Sequence, residues 1–382
     1  MTVSGARAEP PGQRPTWVEV DVDAIAHNVA ALKAHAAAPR LMAVVKADGY
    51  GHGLVPSARA ALRGGADWLG VALVEEGAAL RAAGIGAPVL VLAEPPASAV
   101  GELLRHRLTP AAYTRPFLEA LDAAARGAGE PAGLHLKLDT GMRRVGVPPA
   151  DWEDALAFVR DAPGLRLDAL WSHFAVADEP HHPFIGRQAA EFRRGLALAD
   201  RLGVPPGFAH LCNSAGTLHL HDEHHDMVRP GLAVYGLEPA PGLAGPVPLR
   251  PALSWYSRLS MVKPLAAGEA VSYGLRWRAE RDTVVGTVPA GYADGVVRAL
   301  SDRGRVLVGG RTAPMRGTVC MDQFLVEVDG GAAAGDEVCL IGRQGDEEVT
   351  ADEWAGLLGT INYEIVCGIG SRVPRVHLGG QA

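Results

Sequence analysis

A chain of 382 residues is long enough for a barrel of about 250 residues plus a smaller domain, and 48% apolar residues exclude wholesale disorder. A net charge of −7 leaves no basic face for nucleic acid, and no apolar run reaches the ~18–20 residues that cross a bilayer. The four cysteines, Cys212, Cys320, Cys339 and Cys367, stand far apart without a CxxC pair, which predicts neither a zinc site nor disulfides and suits a reducing cytoplasm. Residues 1–15 (MTVSGARAEPPGQRP) are polar and proline-rich, lack the apolar stretch of a signal peptide, and read as a disordered tail. WVEVDV (17–22) reads as a first strand. Eight short apolar runs come next: LMAVV (41–45), WLGVAL (68–73), PVLVLA (88–93), LTPAA (108–112), LHLKL (134–138), LDALWSHF (167–174), FAHLC (208–212) and MVR (227–229). Amphipathic segments separate them; in RQAAEFRRGLALADRLG, Phe192, Leu196, Ala199 and Leu202 share one face. Alternation of this kind predicts an α/β fold, a (β/α)8 TIM barrel over 16–245. The strand at 17–22 makes a ninth, which either caps the barrel or belongs elsewhere. A stretch dense in proline and glycine (238–251) comes after the barrel. Beyond it, strand runs broken by Gly and Asp turns, with one helix near 351–358, predict a second, mostly β C-terminal domain over 246–382.

Barrel enzymes carry their chemistry at the C-terminal ends of the strands, and polar residues collect there in this sequence. The first of the eight runs ends at Lys46, with Tyr50 close behind; the fifth leads into Lys137, Asp139 and Arg144. The sixth gives His173, the seventh His210, Asn213 and Ser214, and the eighth Arg229 and Gly231. Strand ends often carry polar punctuation, so a single one would mean little. The loops after the last two strands of a barrel commonly hold a phosphate, and Ser214 and Gly231 suit that task. No Walker or GxGxxG pattern points to a nucleotide. A single phosphate together with a lysine at another strand end points to pyridoxal 5′-phosphate, held by Lys46 as a Schiff base. The run LHLHDEHHD, with His219, His221, His224 and His225, matches no standard zinc spacing and reads as a solvated loop.

The segments AVVKADGYGHG, KLDTGMRRVG, WSHFAVADE, HLCNSAG, MVRPGLAVYGL, AVSYG, PAGYADG, RGTVCMDQ and TINYE together resemble the alanine racemase family, a group of fold-type III pyridoxal-phosphate enzymes. The resemblance runs from about residue 17 to 376. It implies that Lys46 is both the cofactor lysine and the base on one face of the substrate. Tyr273 is then the base on the other face, supplied by the second subunit of a homodimer; by itself a tyrosine in a β domain is more often packing. It implies that Tyr50, Asn213, Ser214, Gly231 and Tyr363 lie at or near the cofactor phosphate. Arg229 would face the pyridine nitrogen, supported by His210 and packed near His173, and Arg144 would lie near the cofactor hydroxyl and the substrate. Lys137 matches a lysine often carbamylated to hold that arginine. Met321, Asp322 and Tyr292 match residues of the substrate pocket and its entrance. Two departures stand out: Arg143 precedes Arg144 where a small or polar residue is common, and Gly49 replaces an alanine. The implied activity is interconversion of L- and D-alanine for bacterial cell-wall precursors, in the cytoplasm, with no metal, membrane or nucleic-acid partner. A serine or broad-specificity racemase, a fold-type III decarboxylase and a non-catalytic pyridoxal-phosphate protein are the alternatives; the decarboxylase needs a cysteine and a longer pocket.

Overall fold

A computed structural model describes residues 14–380 and divides into two compact units, Asp23–Arg250 and a second built from the chain before and after it. The first unit holds eight parallel strands, which we number after the N-terminal strand β1 (Thr16–Asp21): β2 (Arg40–Val44), β3 (Trp68–Val71), β4 (Val89–Val91), β5 (Thr109–Ala112), β6 (Ala132–Lys137), β7 (Leu165–Trp171), β8 (Phe208–His210) and β9 (Met227–Val228). Their order is β8-β7-β6-β5-β4-β3-β2-β9. The two ends of that row meet where Arg229 N–H donates to Cys212 O at 3.0 Å, so the sheet curls into a barrel. The strands are short, and their side chains are buried almost throughout because helices cover the outside while the interior is packed. Met42, Leu90 and Met227 fill the interior, with Trp68, Leu92 and Phe208 against them. Each of the eight apolar runs carries one of these strands, and the barrel with a separate β unit is the architecture the sequence predicts.

The N-terminal strand is the exception to the expected 16–245 barrel. β1 pairs antiparallel with β10 (Leu253–Arg258) and parallel with Arg375–Leu378, inside the ten-stranded sheet of the second unit. Trp17, Val18 and Val20 are wholly buried, which requires cover on both faces of the strand. The barrel row is already closed by β8 and β9 and offers no edge to a ninth strand. Most of the tail expected over 1–15 lies outside the described residues. Arg14 does not fit it, because its guanidinium grips both carboxylate oxygens of the buried Asp294 at 2.7 and 2.5 Å. The helix expected near 351–358 is Ala351–Leu358, started by Thr350, whose hydroxyl accepts from Glu353 N–H at 3.0 Å.

Candidate active site

Lys46 follows β2 directly and opens a turn of unusual backbone. Ala47, Asp48, Gly49, Tyr50 and Gly51 all have positive φ, between 52° and 81°, so the chain makes a left-handed turn there. For residues with a Cβ this costs roughly 1–2 kcal/mol each, and the turn is held in place accordingly. Ala47 N–H donates to Glu76 Oε1 at 2.6 Å, and Leu54 N–H to Asp48 Oδ1 at 2.8 Å. Gly49 has no room for a side chain: a Cβ there would stand 2.6 Å from Ser57 Oγ. The departure from alanine at this position therefore matches the packing around it. Tyr50 is buried against Tyr235, ring centroids 5.1 Å apart, and a Cβ on Gly231 would fall 2.4 Å from the Tyr50 hydroxyl. Tyr50 and Gly231 thus meet across the barrel mouth.

Ser214 ties the segments after β8 and β9 together. Its Oγ accepts from Gly231 N–H at 2.8 Å and Ala233 N–H at 3.3 Å, leaving the hydroxyl proton to donate. Asn213 turns its side chain back onto its own helix, accepting from Gly216 N–H at 3.0 Å.

Arg229 is buried just beyond β9, at the C-terminal end of the barrel. One amino group donates to His210 Nδ1 at 2.8 Å; the other donates to Ser172 O at 2.8 Å and Leu211 O at 3.0 Å, with His173 Nδ1 at 3.4 Å. Its guanidinium lies 4.9 Å from the Trp171 ring, and it has no carboxylate partner among the described residues. Burial lowers its pKa to about 10, so it stays charged at neutral pH. Lys137 ends β6 and lies on the same indole, 4.3 Å from the ring centroid. Burial, then the charges of Arg229, Arg144 and Lys46, bring its pKa down to about 7, against a pull upward from Asp139. Asp139 itself accepts from Gly141 and Arg143 N–H at 2.9 and 3.0 Å. His173 and His210 are held well below the ordinary histidine value, by burial first and Arg229 next, and are neutral. The charge of Arg144 acts on Lys137 and His173. Arg143 instead lines a neighbouring groove with Phe184, Arg187 and Glu191. The mouth therefore collects Lys46, Lys137, Arg144 and Arg229 around neutral imidazoles, an electropositive cup that suits an anionic ligand carrying a carbonyl for an amine to hold.

Tyr273, Tyr292, Met321, Asp322 and Tyr363 lie in the second unit. Tyr273 stands in a turn where Ser272, Gly274 and Leu275 have φ of 62°, 77° and 47°. Ser272 Oγ donates to Thr318 O at 2.6 Å and Thr318 Oγ1 to Tyr273 O at 2.8 Å. Tyr292 N–H donates to Cys320 O at 3.0 Å and Ala293 N–H to Met321 O at 3.0 Å. The segment 318–321 thus brings Tyr273, Tyr292 and Met321 together. Asp322 accepts from Arg372 at 2.6 Å. Tyr363 is half-buried in the helix Asn362–Cys367, apart from that group in the chain. The histidine-rich run is not the solvated loop expected: His219 ends the helix Ser214–His219 and bonds Ala177 O at 2.6 Å, while His224 is buried, bonds Gly216 O at 3.1 Å and packs its ring 5.0 Å from that of His221.

Sequence reasoning missed Trp171, the ring under both Arg229 and Lys137, and His135, buried below them. Both were within reach: Trp171 ends β7, and His135 precedes Lys137 by two residues, on the same face of β6.

Residues 20–239 match the family model for the alanine racemase N-terminal domain, and 252–377 that for its C-terminal domain. The chain belongs to the alanine racemase family. Among relatives of this family, the alanine racemase of Symbiobacterium thermophilum is 49% identical over 374 residues, covering 97% of this chain and 99% of its own. The crystal structure of alanine racemase from D-cycloserine-producing Streptomyces lavendulae superposes with a TM-score of 0.93 at 44% identity, covering 97% and 98% of the two chains. An alanine racemase from Bacillus anthracis, with bound L-Ala-P, superposes at 0.90 and 37% identity over 97% and 96%. As a member of the alanine racemase family this chain is an amino-acid racemase, and its barrel and β unit are the two domains that define the family.

Proposed function

We propose that the protein interconverts L- and D-alanine with pyridoxal 5′-phosphate, supplying D-alanine for peptidoglycan precursors in the cytoplasm. The observation that carries this reading is Arg229: a buried cation with no carboxylate partner among the described residues, placed between neutral histidines at a barrel mouth that also presents Lys46. The residues fit the cofactor. Lys46 would bind it covalently, the Ser214 hydroxyl, Asn213, Gly231, Tyr50 and Tyr363 would surround its phosphate, and Arg229 would meet its ring nitrogen. Bound there, the cofactor delocalises the electron pair left when the substrate Cα–H bond breaks. A carboxylate at that nitrogen would keep it protonated and strengthen the sink, whereas an arginine holds its own proton. With Arg229 there, rapid return of a proton to Cα would be favoured over transamination.

Inversion requires proton transfer on both faces of Cα. Lys46 would hold or take the proton on one face, and Tyr273 of the partner subunit on the other. Support for a homodimer comes from exposed surface: apart from Leu73, every large apolar side chain left open among the described residues lies in the second unit, including Met261, Tyr273, Leu275, Tyr292 and Met321. Arg144, with Tyr292, Met321 and Asp322 from the partner, would hold the substrate carboxylate and close the entrance. Lys137, close to neutrality and ringed by cations, is poised to react with carbon dioxide, and the resulting carbamate would place an anion against Arg144. No disulfide joins the cysteines among the described residues, and no described helix is long and apolar enough to cross a membrane.

The test is racemisation of a panel of L-amino acids by the purified, cofactor-loaded protein, followed by chiral chromatography. Alanine should turn over faster than serine and all others. Comparable serine turnover would make it a broad-specificity racemase, and bound cofactor without any racemisation would make it a binding protein.

A further inference from the structure

Three polar side chains stand in line inside the barrel. Arg229 Nη1 lies 2.8 Å from His210 Nδ1, and His210 Nε2 lies 3.0 Å from His135 Nδ1. A guanidinium only donates, so His210 Nδ1 is an acceptor and the ring proton of this neutral imidazole sits on Nε2. That N–H donates to His135 Nδ1, which places the His135 proton on its own Nε2. Both rings are fully buried. Burial, then the charge of Arg229, lowers the His135 pKa to about 3, so it too is neutral. Beyond it stand Trp68 and Phe208, each with its ring centroid 5.1 Å from that of His135, and His135 Nε2 has no protein acceptor among the described residues. Every proton in the line points away from the barrel mouth. An imidazole is the odd member of a layer otherwise filled by Met42, Trp68, Leu90, Phe208 and Met227.

We infer that His135 is a positioning residue for Arg229, acting through His210. By accepting the hydrogen bond from His210 Nε2–H it fixes the tautomer that leaves Nδ1 open to the guanidinium. Without that acceptor, His210 Nε2–H loses its partner, and a ring that shifts its proton to Nδ1 or takes a second proton meets Arg229 with a donor. Arg229 then leaves its place between Ser172, Leu211 and His210. This rests on the reading of Arg229 as the group that meets the cofactor ring; His135 touches neither cofactor nor substrate.

The tautomers can be read directly in protein labelled with ¹⁵N-histidine, from long-range ¹H–¹⁵N spectra. The wild type should show His210 and His135 each as a single neutral Nε2–H form from about pH 8 down to about pH 5. In His135→Leu, His210 should lose that single form, kcat should fall about tenfold, and KM for alanine should stay within about twofold. His135→Gln, whose amide oxygen can accept, should restore both the single His210 signal and most of kcat. A folded His135→Leu with an unchanged His210 signal and unchanged kcat would overturn the inference and leave His135 as packing. Should His135→Leu not fold, the wild type still decides, because a His210 with its proton on Nδ1 breaks the line. The functional reading fails separately, as a wild type with the expected tautomers and no racemisation.

Discussion

Residues 47–51 behind Lys46 and residues 272–275 around Tyr273 both hold left-handed backbone, yet the two loops are finished in different ways. The first is completed by its own unit: Asp48 and Glu76 accept its backbone donors or those beside it, and Gly49 and Tyr50 are buried. The second is tied underneath by Ser272 and Thr318, but its outer side is open. Tyr273 is 75% and Leu275 62% exposed. Strained backbone persists only where its surroundings over-determine it. This loop nevertheless presents an aromatic and a leucine to solvent. On the proposed reading, one loop holds a base in a finished half-site and the other carries a base to a site it does not own.

The sharpest way to break that contrast is complementation. Lys46→Ala and Tyr273→Phe should each lower racemisation by roughly 10³-fold. Refolded together in equal amounts, the two chains should recover about a quarter of wild-type activity, since half the dimers are mixed and one site of each is intact. Mixed dimers confirmed by mass but inactive would show that Tyr273 serves its own chain or none.

Glycine replacements sharpen the contrast at the level of stability. Gly49→Ala adds a Cβ to left-handed backbone and drives it to 2.6 Å from Ser57 Oγ. Gly274→Ala carries the same backbone penalty, but the nearest atoms are those of the flexible Arg276 side chain at 3.5 Å. Denaturant unfolding should show losses of about 2–3 kcal/mol for the first and about 1 kcal/mol for the second. Equal losses would mean the two loops are held alike.

The smallest effect is a difference in pH response. The barrel buries His135, His173, His210 and His224 with pKa values below the ordinary 6.5, burial being the first cause for each. Their stabilising contribution is complete above 6.5 and is lost as pH falls through the lowered values, which for His135 is about 3. Lys137 acts in another window: from about 7 to 10.5 the unfolded lysine holds a proton the folded one has shed, so stability rises with pH there. Hydrogen exchange at stepwise lower pH should therefore release barrel amides before those of the β unit. Equal release would place the acid-sensitive groups elsewhere.

Most of the barrel was legible because each strand is a compact apolar run set off by amphipathic helix, and the residues at the strand ends fell where the topology puts them. Lys46, Lys137, His173, His210 and Arg229 needed only that rule. The strand at 16–21 was ambiguous because pattern reveals that a strand is buried without naming its neighbours; β1 finds them some 240 and 360 residues away. In the second unit the runs at 253–265, 283–288, 305–308, 324–328 and 337–344 were readable. Short or polar strands such as Ala270–Val271, Arg311–Arg316 and Arg375–Leu378 were not, since pairing rather than composition makes them strands. The left-handed run at 47–51 was invisible, for three of its five residues are not glycine. His135 went unremarked because one histidine in an apolar strand looks like packing until its hydrogen-bond partner is known.

The pairing of Val18 with Arg375 sets an order on biosynthesis. β1 leaves the ribosome long before its sheet neighbour Arg375–Leu378 is made. At about 5–20 residues per second, roughly 20–70 s separate the two. Through that interval the barrel segment can close, while Trp17, Val18 and Val20 wait without the neighbours that bury them. A nascent chain of this protein therefore carries an adhesive strand from the synthesis of β1 until Arg375–Leu378 emerges, and a chain stalled in that interval would still bear it. Chaperone demand in the cell should follow the time taken to reach Leu378 more than the intrinsic folding rate of either unit.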